Sequence, residues 1–178
     1  RLRRQETCQG TLPQPGGYTD IHTHILPGVD DGAVDMEETC RMLKLAIAQK
    51  TEIMIATPHY VAGADNIPVK DLYEKIARVM LEAVELDKDF QLYAGNELFY
   101  SESIIKDLQE KKALTLAGSR YVLVEFYPDV NYSTLYQGLG ELVQAGYAPI
   151  LAHMERYRCM NRKKDKVLEV NKLGCYIQ

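Results

Sequence analysis

The chain has 178 residues, 46% of them hydrophobic and 26% charged, with a formal charge of −4 at pH 7. That length and balance suit one globular domain with its own core, and the acidic sign argues against nucleic acid as the main partner, because phosphate backbones select basic surfaces. No apolar run is long enough to cross a bilayer and no apolar stretch follows the N-terminal arginines, so the expectation is a cytoplasmic protein without membrane insertion.

Residues 1–17 are polar, contain Pro13, Pro15, Gly16 and Gly17, and lack apolar periodicity; they read as a mobile arm or an expression remnant. From Tyr18 the chain alternates short apolar strands with amphipathic helices. The first strand is Tyr18 to His22. A helix opens at Asp35, which makes a D-x-x-E capping pattern with Glu38, and runs to about Lys50 with Met42, Leu43, Ala46 and Ile47 on one face. The second strand, Glu52 to Thr57, is stopped by Pro58. A loop holding Gly63, Asn66 and Pro68 leads to a helix over 69–88, with Leu72, Ile76, Val79, Met80 and Ala83 at helical spacing.

Phe90 to Gly95 is the third strand, followed by a shorter helix over 103–112 and a turn at Gly118. The fourth strand is Tyr121 to Phe126. A helix from Ser133 to Ala145 closes at Gly146, the fifth strand is Ala148 to Ala152, and a helix from Asp165 to Leu173 closes at Gly174 before a sixth strand, Cys175 to Gln178. Repeating βα units imply a parallel sheet with right-handed crossovers covered by helices, as either a doubly wound sheet or a barrel.

Parallel α/β folds build their sites at the C-terminal ends of strands, so the polar residues there carry information. The first strand ends in His22-Thr23-His24, the second in Pro58-His59 and the third in Asn96-Glu97; the fourth holds Glu125 and the fifth ends in His153. All four histidines of the chain occupy such positions, and imidazole with carboxylate is the donor set that holds zinc, manganese or iron. A lone H-x-H is as often polar decoration, and Glu97 alone could be a helix-start residue. Glu125 inside the apolar Val122 to Phe126 segment is harder to dismiss, since a carboxylate buried there needs a partner or a cation. Together the five strand ends point to a metal site.

Asp30 and Asp31, before Gly32, fit turn chemistry or ligation equally. Arg156 is a surface cation or a phosphate-binding guanidinium, and the run Arg156, Arg158, Arg162, Lys163, Lys164, Lys166 is a solvated face that would also attract an anionic substrate. Cys8, Cys40, Cys159 and Cys175 are widely spaced, with no C-x-x-C pair and no C-x5-R loop; they read as reduced, mostly buried thiols rather than as nucleophiles.

The segment Asp20-Ile21-His22-Thr23-His24-Ile25-Leu26-Pro27-Gly28-Val29-Asp30-Asp31-Gly32 resembles the opening of the bacterial PHP-type (polymerase and histidinol phosphatase) tyrosine phosphatases, manganese-dependent enzymes of capsule and exopolysaccharide synthesis. Ala56-Thr57-Pro58-His59, Gly95-Asn96-Glu97-Leu98, Val124-Glu125-Phe126 and His153-Met154-Glu155-Arg156 match that group in order and spacing, and the resemblance covers nearly everything from Tyr18 onward. It implies a PHP-type distorted (β/α)7 barrel, truncated here after about the sixth strand. It also implies a centre of two to three manganese ions, with iron or zinc as alternatives. His22, His24 and Glu97 would bind the first metal, Glu97 bridging to a second held by Glu125 and His153; Asp30 or Asp31 and His59 would serve the third, and Arg156 would grip phosphate.

The implied substrate is a phosphotyrosine protein, the tail of a bacterial tyrosine kinase; histidinol phosphate or another small phosphomonoester is the alternative, and a non-catalytic metal-binding scaffold is the alternative of another class. Met154 stands where the family usually has Pro, and the family's late D-x-H ligand pair is absent. The expectation is therefore a piece of a gene product one or two βα units longer, binding at most two metals firmly, self-associating at an open edge and turning over slowly.

Overall fold

The computed structural model describes residues 16–178. The sequence-predicted arm lies outside the described residues except for Gly16 and Gly17. Among the described residues eight strands and five α-helices follow in order: β1 (Tyr18–Thr23), α1 (Met36–Ala48), β2 (Thr51–Ala56), β3 (His59–Val61), α2 (Val69–Leu86), β4 (Gln91–Ala94), β5 (Glu97–Phe99), α3 (Ile104–Gln109), β6 (Tyr121–Glu125), α4 (Tyr132–Gln144), β7 (Ala148–Leu151), α5 (Lys164–Lys172) and β8 (Tyr176–Ile177). Every strand pair is parallel. The ladders run β1-β2-β4 and β3-β5-β6-β7-β8.

The two ladders are one strand series interrupted twice. Pro58 lacks an N–H and ends β2, yet the chain continues as β3; Gly95 and Asn96 separate β4 from β5 in the same way. Backbone bonds cross both breaks: Gly95 N donates to Ala56 O at 2.9 Å and Glu97 N to Pro58 O at 3.1 Å. Buried Asn96 ties them further, its Nδ2 donating to Pro58 O and its Oδ1 accepting from Leu114 N. Counting β2/β3 and β4/β5 as two bent strands, spatial order equals chain order. Every crossover then steps the same way, as a barrel requires and a doubly wound sheet with its reversal does not. Among the described residues β1 and β8 share no ladder, but their ends meet through His22 Nδ1 and Gln178 Oε1, 2.7 Å apart.

Strand alternation divides the interior. Leu98, Val122, Val124, Leu135, Leu139, Leu142 and Leu151 form a helix-side core with α3, α4 and α5. Leu43, Met54, Leu72, Ile76, Val79, Ala83 and Leu92 do the same for α1 and α2, which matches the apolar faces read from helical spacing. Ile55, Leu116, Leu123, Ile150 and Ala152 pack on the opposite face of the strands, inside the curve. Each fully buried Leu stabilises the fold by roughly 1.5–3 kcal/mol.

Local signals hold in detail. Asp35 caps α1, accepting from Glu38 N at 2.9 Å. The Glu38 carboxylate reaches back to Val34 N rather than to Asp35 N, so the capping box is offset by one residue. Gly146 and Gly174 close α4 and α5 at φ +92 and +102. The three described cysteines are free; only Cys175 is buried, Cys40 and Cys159 being half-buried, which corrects the expectation of mostly buried thiols. Burial pushes the Cys175 thiol up to about 11, away from nucleophilic use. Among the described residues no helix is long and apolar enough to cross a membrane.

Two glycines of α4 provide a contrasting pair. A Cβ on Gly138 would lie 2.6 Å from Cζ of Tyr100, whose hydroxyl is held by Glu141 and whose ring stacks on Phe126. A Cβ on Gly140 meets only Leu173 Cδ2 at 3.8 Å. In chemical denaturation, Gly138→Ala should cost about 1–3 kcal/mol through overpacking, whereas Gly140→Ala should stabilise by about 0.5–1 kcal/mol by raising helix propensity.

Candidate metal centre

Glu97 opens β5 and is 1% exposed. A lone carboxylate at that depth is expensive, and four imidazoles surround it. Its Oε2 lies 3.1 Å from His22 Nε2, 3.1 Å from His24 Nε2 and 3.3 Å from His59 Nδ1; its Oε1 lies 2.9 Å from His153 Nε2. Glu125, last residue of β6, approaches His59 Nδ1 at 3.0 Å and His153 Nε2 at 3.2 Å.

These positions follow from the strands. His22 and His24 are two residues apart at the end of β1, so both face the same side. His59 and Glu97 are the first residues of the resumed strands and register partners in the ladder. His153 follows β7 in a left-handed conformation (φ 37, ψ 53), a strained state for a non-glycine residue of the kind that clusters at functional sites.

Both nitrogens of His24 face carboxylates. The hydrogen bond to Asp30 Oδ2 at 2.7 Å contributes most and that to Glu97 next, and together they raise its pKa to about 10. Burial opposes ionisation of Glu97, but hydrogen bonds from His22 and His24 win and hold its carboxyl well below the usual carboxylate range. His22 is raised although burial works against it, through Glu97 and Gln178. His59 is raised chiefly by Glu125. Wherever an imidazole N–H now meets a carboxylate, a dication could replace the proton and meet the same oxygen, which is the chemistry of a mixed imidazole–carboxylate metal site.

Three sets of donor atoms lie within 4.8 Å of one another: His22, His24, Glu97; His24, Asp31, His59; and His59, Glu97, Glu125. They line or adjoin a cleft of about 270 Å3 that also receives Arg156. His22, His24, His59, Glu97, Glu125, His153 and Arg156, each singled out from sequence, are thus brought to one mouth. Asp30 is not among the cleft-facing groups. Its Oδ2 accepts from His24 Nδ1 and, at 3.0 Å, from His59 N; its Oδ1 accepts from Gly32 N at 3.1 Å. Asp31, 79% exposed in its side chain, is the aspartate that faces the cleft, its Oδ1 3.4 Å from His59 Nε2.

Three supporting residues escaped the sequence reading. Gln178 touches His22. Asn96 fixes both strand breaks, and its place beside Glu97 at a strand end was the available signal. Tyr157, fully buried, accepts from Phe126 N at 3.2 Å and lies 3.5 Å from His153 Nδ1.

The fold and the cluster together define a parallel α/β protein with candidate metal-binding His/Glu groups at its strand ends. The chain belongs to the capsular polysaccharide synthesis CpsB/CapC family, whose sequence model matches residues 18–178. It is 30% identical over 159 residues to the tyrosine-protein phosphatase CpsB of Streptococcus agalactiae serotype V and 32% identical over 159 residues to that of Streptococcus pneumoniae, in each case covering 89% of this chain and 65% of the relative. With the tyrosine-protein phosphatase YwqE of Bacillus subtilis the identity is 32% over 139 residues, covering 78% of this chain and 55% of that one. The crystal structures of YwqE from B. subtilis and CpsB from S. pneumoniae, described as unique metal-dependent tyrosine phosphatases, provide a structural match with a TM-score of 0.81 and 28% identity, over 90% of this chain and 65% of that one. The chain therefore spans about 65% of the length of the streptococcal relatives.

The contrast between the two aspartates is testable without any metal. Asp30→Ala removes a half-buried acceptor of three bonds and should cost about 1–3 kcal/mol in urea denaturation of the metal-free protein. Asp31→Ala should stay within about 0.5 kcal/mol of wild type.

Proposed function

We propose that the cluster is a manganese centre and that the chain acts as a metal-dependent protein-tyrosine phosphatase of capsule or exopolysaccharide synthesis, working in the cytoplasm on phosphotyrosines of a bacterial tyrosine kinase. The observation that carries this reading is Glu97, a buried carboxylate whose two oxygens face different imidazoles and therefore suit a bridge between two cations. His22, His24 and Glu97 would hold the first, and Glu97, Glu125 and His153 the second. Asp31 and His59 would serve a third, with Asp30 orienting His24 as the carboxylate partner that metal-binding histidines commonly have. The names of the relatives and of the structural match support the activity.

When bound, dications here neutralise phosphoryl charge and make water a nucleophile near neutral pH. The chain's own residues supply the rest. Arg156 reaches the cleft with a planar guanidinium matched to two phosphate oxygens. Glu97, buried beneath the partly exposed imidazoles, keeps its electrostatic contacts strong. A phenolate leaves with a conjugate-acid pKa of about 10, so a tyrosine ester places less demand on a general acid than an alkyl ester does.

Two outcomes check this. Glu97→Gln should lose ions from both flanking positions rather than one, as counted by elemental analysis after dialysis; undiminished metal content removes the bridging role. Arg156→Ala should keep its metal while kcat/KM for p-nitrophenyl phosphate falls about 10- to 1,000-fold. Preference for histidinol phosphate over phosphotyrosine would favour the small-phosphomonoester reading, and metal binding with no turnover on any phosphate ester would favour a scaffold.

A further inference from the structure

Resting on the phosphoesterase reading, the geometry points to Val61, Phe99 and Tyr127 as the wall that binds the aromatic ring of an aryl phosphate and so selects phosphotyrosine over alkyl esters.

The argument begins with alternation. On β3, Tyr60 belongs to the helix-side core, so His59 and Val61 share the other face. On β5, fully buried Leu98 faces the helices and leaves Glu97 and Phe99 together on the opposite side. On β6 and just beyond it, Val124 and Phe126 lie in the helix-side core, while Leu123 packs inside the curve with Glu125 and Tyr127 following at two-residue steps. Thus on three neighbouring strands the residue one layer beyond a ligand, about 7 Å further along, is apolar or aromatic.

Register joins Val61 to Phe99, and ring contact joins Phe99 to Tyr127. Val61 pairs with Phe99 and Phe99 with Glu125 across the ladders. Tyr100 N donates to Glu125 O at 2.9 Å and clamps the end of β5 to β6. The Phe99 and Tyr127 rings meet edge to face, centroids 4.5 Å apart at 69°. Tyr127 is 67% exposed and Val61 42% exposed, large side chains left open to solvent on the ligand-bearing face rather than used as core. A phosphoryl group seated at the ligand layer and Arg156 would direct its ester oxygen outward. The next layer it meets on this side is the aromatic pair, and rings prefer the edge-to-face or offset geometry that the pair already shows. A serine or sugar phosphate has no ring to place there.

The test is calorimetric titration of the manganese-loaded protein with phenylphosphonate and methylphosphonate, which share the anionic head and cannot be hydrolysed. Wild type should favour phenylphosphonate by about tenfold or more. Tyr127→Ala, at an exposed position and so folded, and Phe99→Leu should each shrink that preference to about threefold or less, with methylphosphonate affinity and metal content held. Equal affinities in wild type, or an unchanged ratio in both variants, overturn the aryl wall and leave the phosphoesterase reading standing. Binding of neither phosphonate overturns that reading and this inference with it.

Discussion

One buried carboxylate sets the terms for the rest of the molecule. Glu97 is 1% exposed in a parallel sheet, and an ionised group at that depth is tolerated only with partners on all sides. Those partners come from β1, from the resumed strand β3 and from the turn after β7, and Glu97 itself from β5. Four separate βα units must therefore end at one height. The two strand breaks serve this demand. They let His59 and Glu97 begin new three-residue ladders that pair with each other, after β2 and β4 have finished pairing in the first ladder.

The loop after β1 brings the same demand to a second layer. Ala33 N donates to His24 O at 3.0 Å and Gly28 N to Ala33 O at 2.8 Å, closing the loop against the end of the strand. Thr39 at the start of α1 donates to Ile25 O at 2.8 Å. Gly32 sits so close that a Cβ there would lie 2.1 Å from His24 O, so only glycine lets the loop fold back far enough for Asp30 to reach both the His24 ring and the His59 backbone. That reach is how one carboxylate couples the ends of β1 and β3 before any cation binds.

The strand ends were legible because parallel topology and period-two patterning act locally, and each candidate ligand sits where an apolar run stops. Glu125 stood out by breaking such a run. What escaped was set by packing between segments distant in sequence. β3 and β5 are three residues long, too short for periodicity, and exist because neighbouring strands offer ladders; Pro58 and Gly95-Asn96 read as stops when they are interruptions. The choice between Asp30 and Asp31 turns on a loop closure that two adjacent aspartates do not announce. Barrel order, as against a doubly wound sheet, depends on which strand neighbours which; no βα unit carries that by itself, and the expectation of a barrel came from the family resemblance. Tyr157 drew no reading of its own between the cations Arg156 and Arg158, yet it is fully buried beside Phe126 and His153.

Fold and chemistry here draw on one rule. On β5 the inward residues are Glu97 and Phe99 and the outward one is Leu98, which shares the helix-side core with Val124 of β6 and Leu139 of α4. Slipping β5 by one residue would put a carboxylate into that helix-side layer and a leucine into the ring of imidazoles. The first change alone would cost several kcal/mol for an unpaired buried charge. The pairing that best buries the apolar residues is therefore also the pairing that assembles the cluster, and competing registers are penalised twice. The helix-side leucines that stabilise the sheet thereby also set the height of Glu97, and the Asp30 bonds bring the His24 ring and the His59 backbone to it.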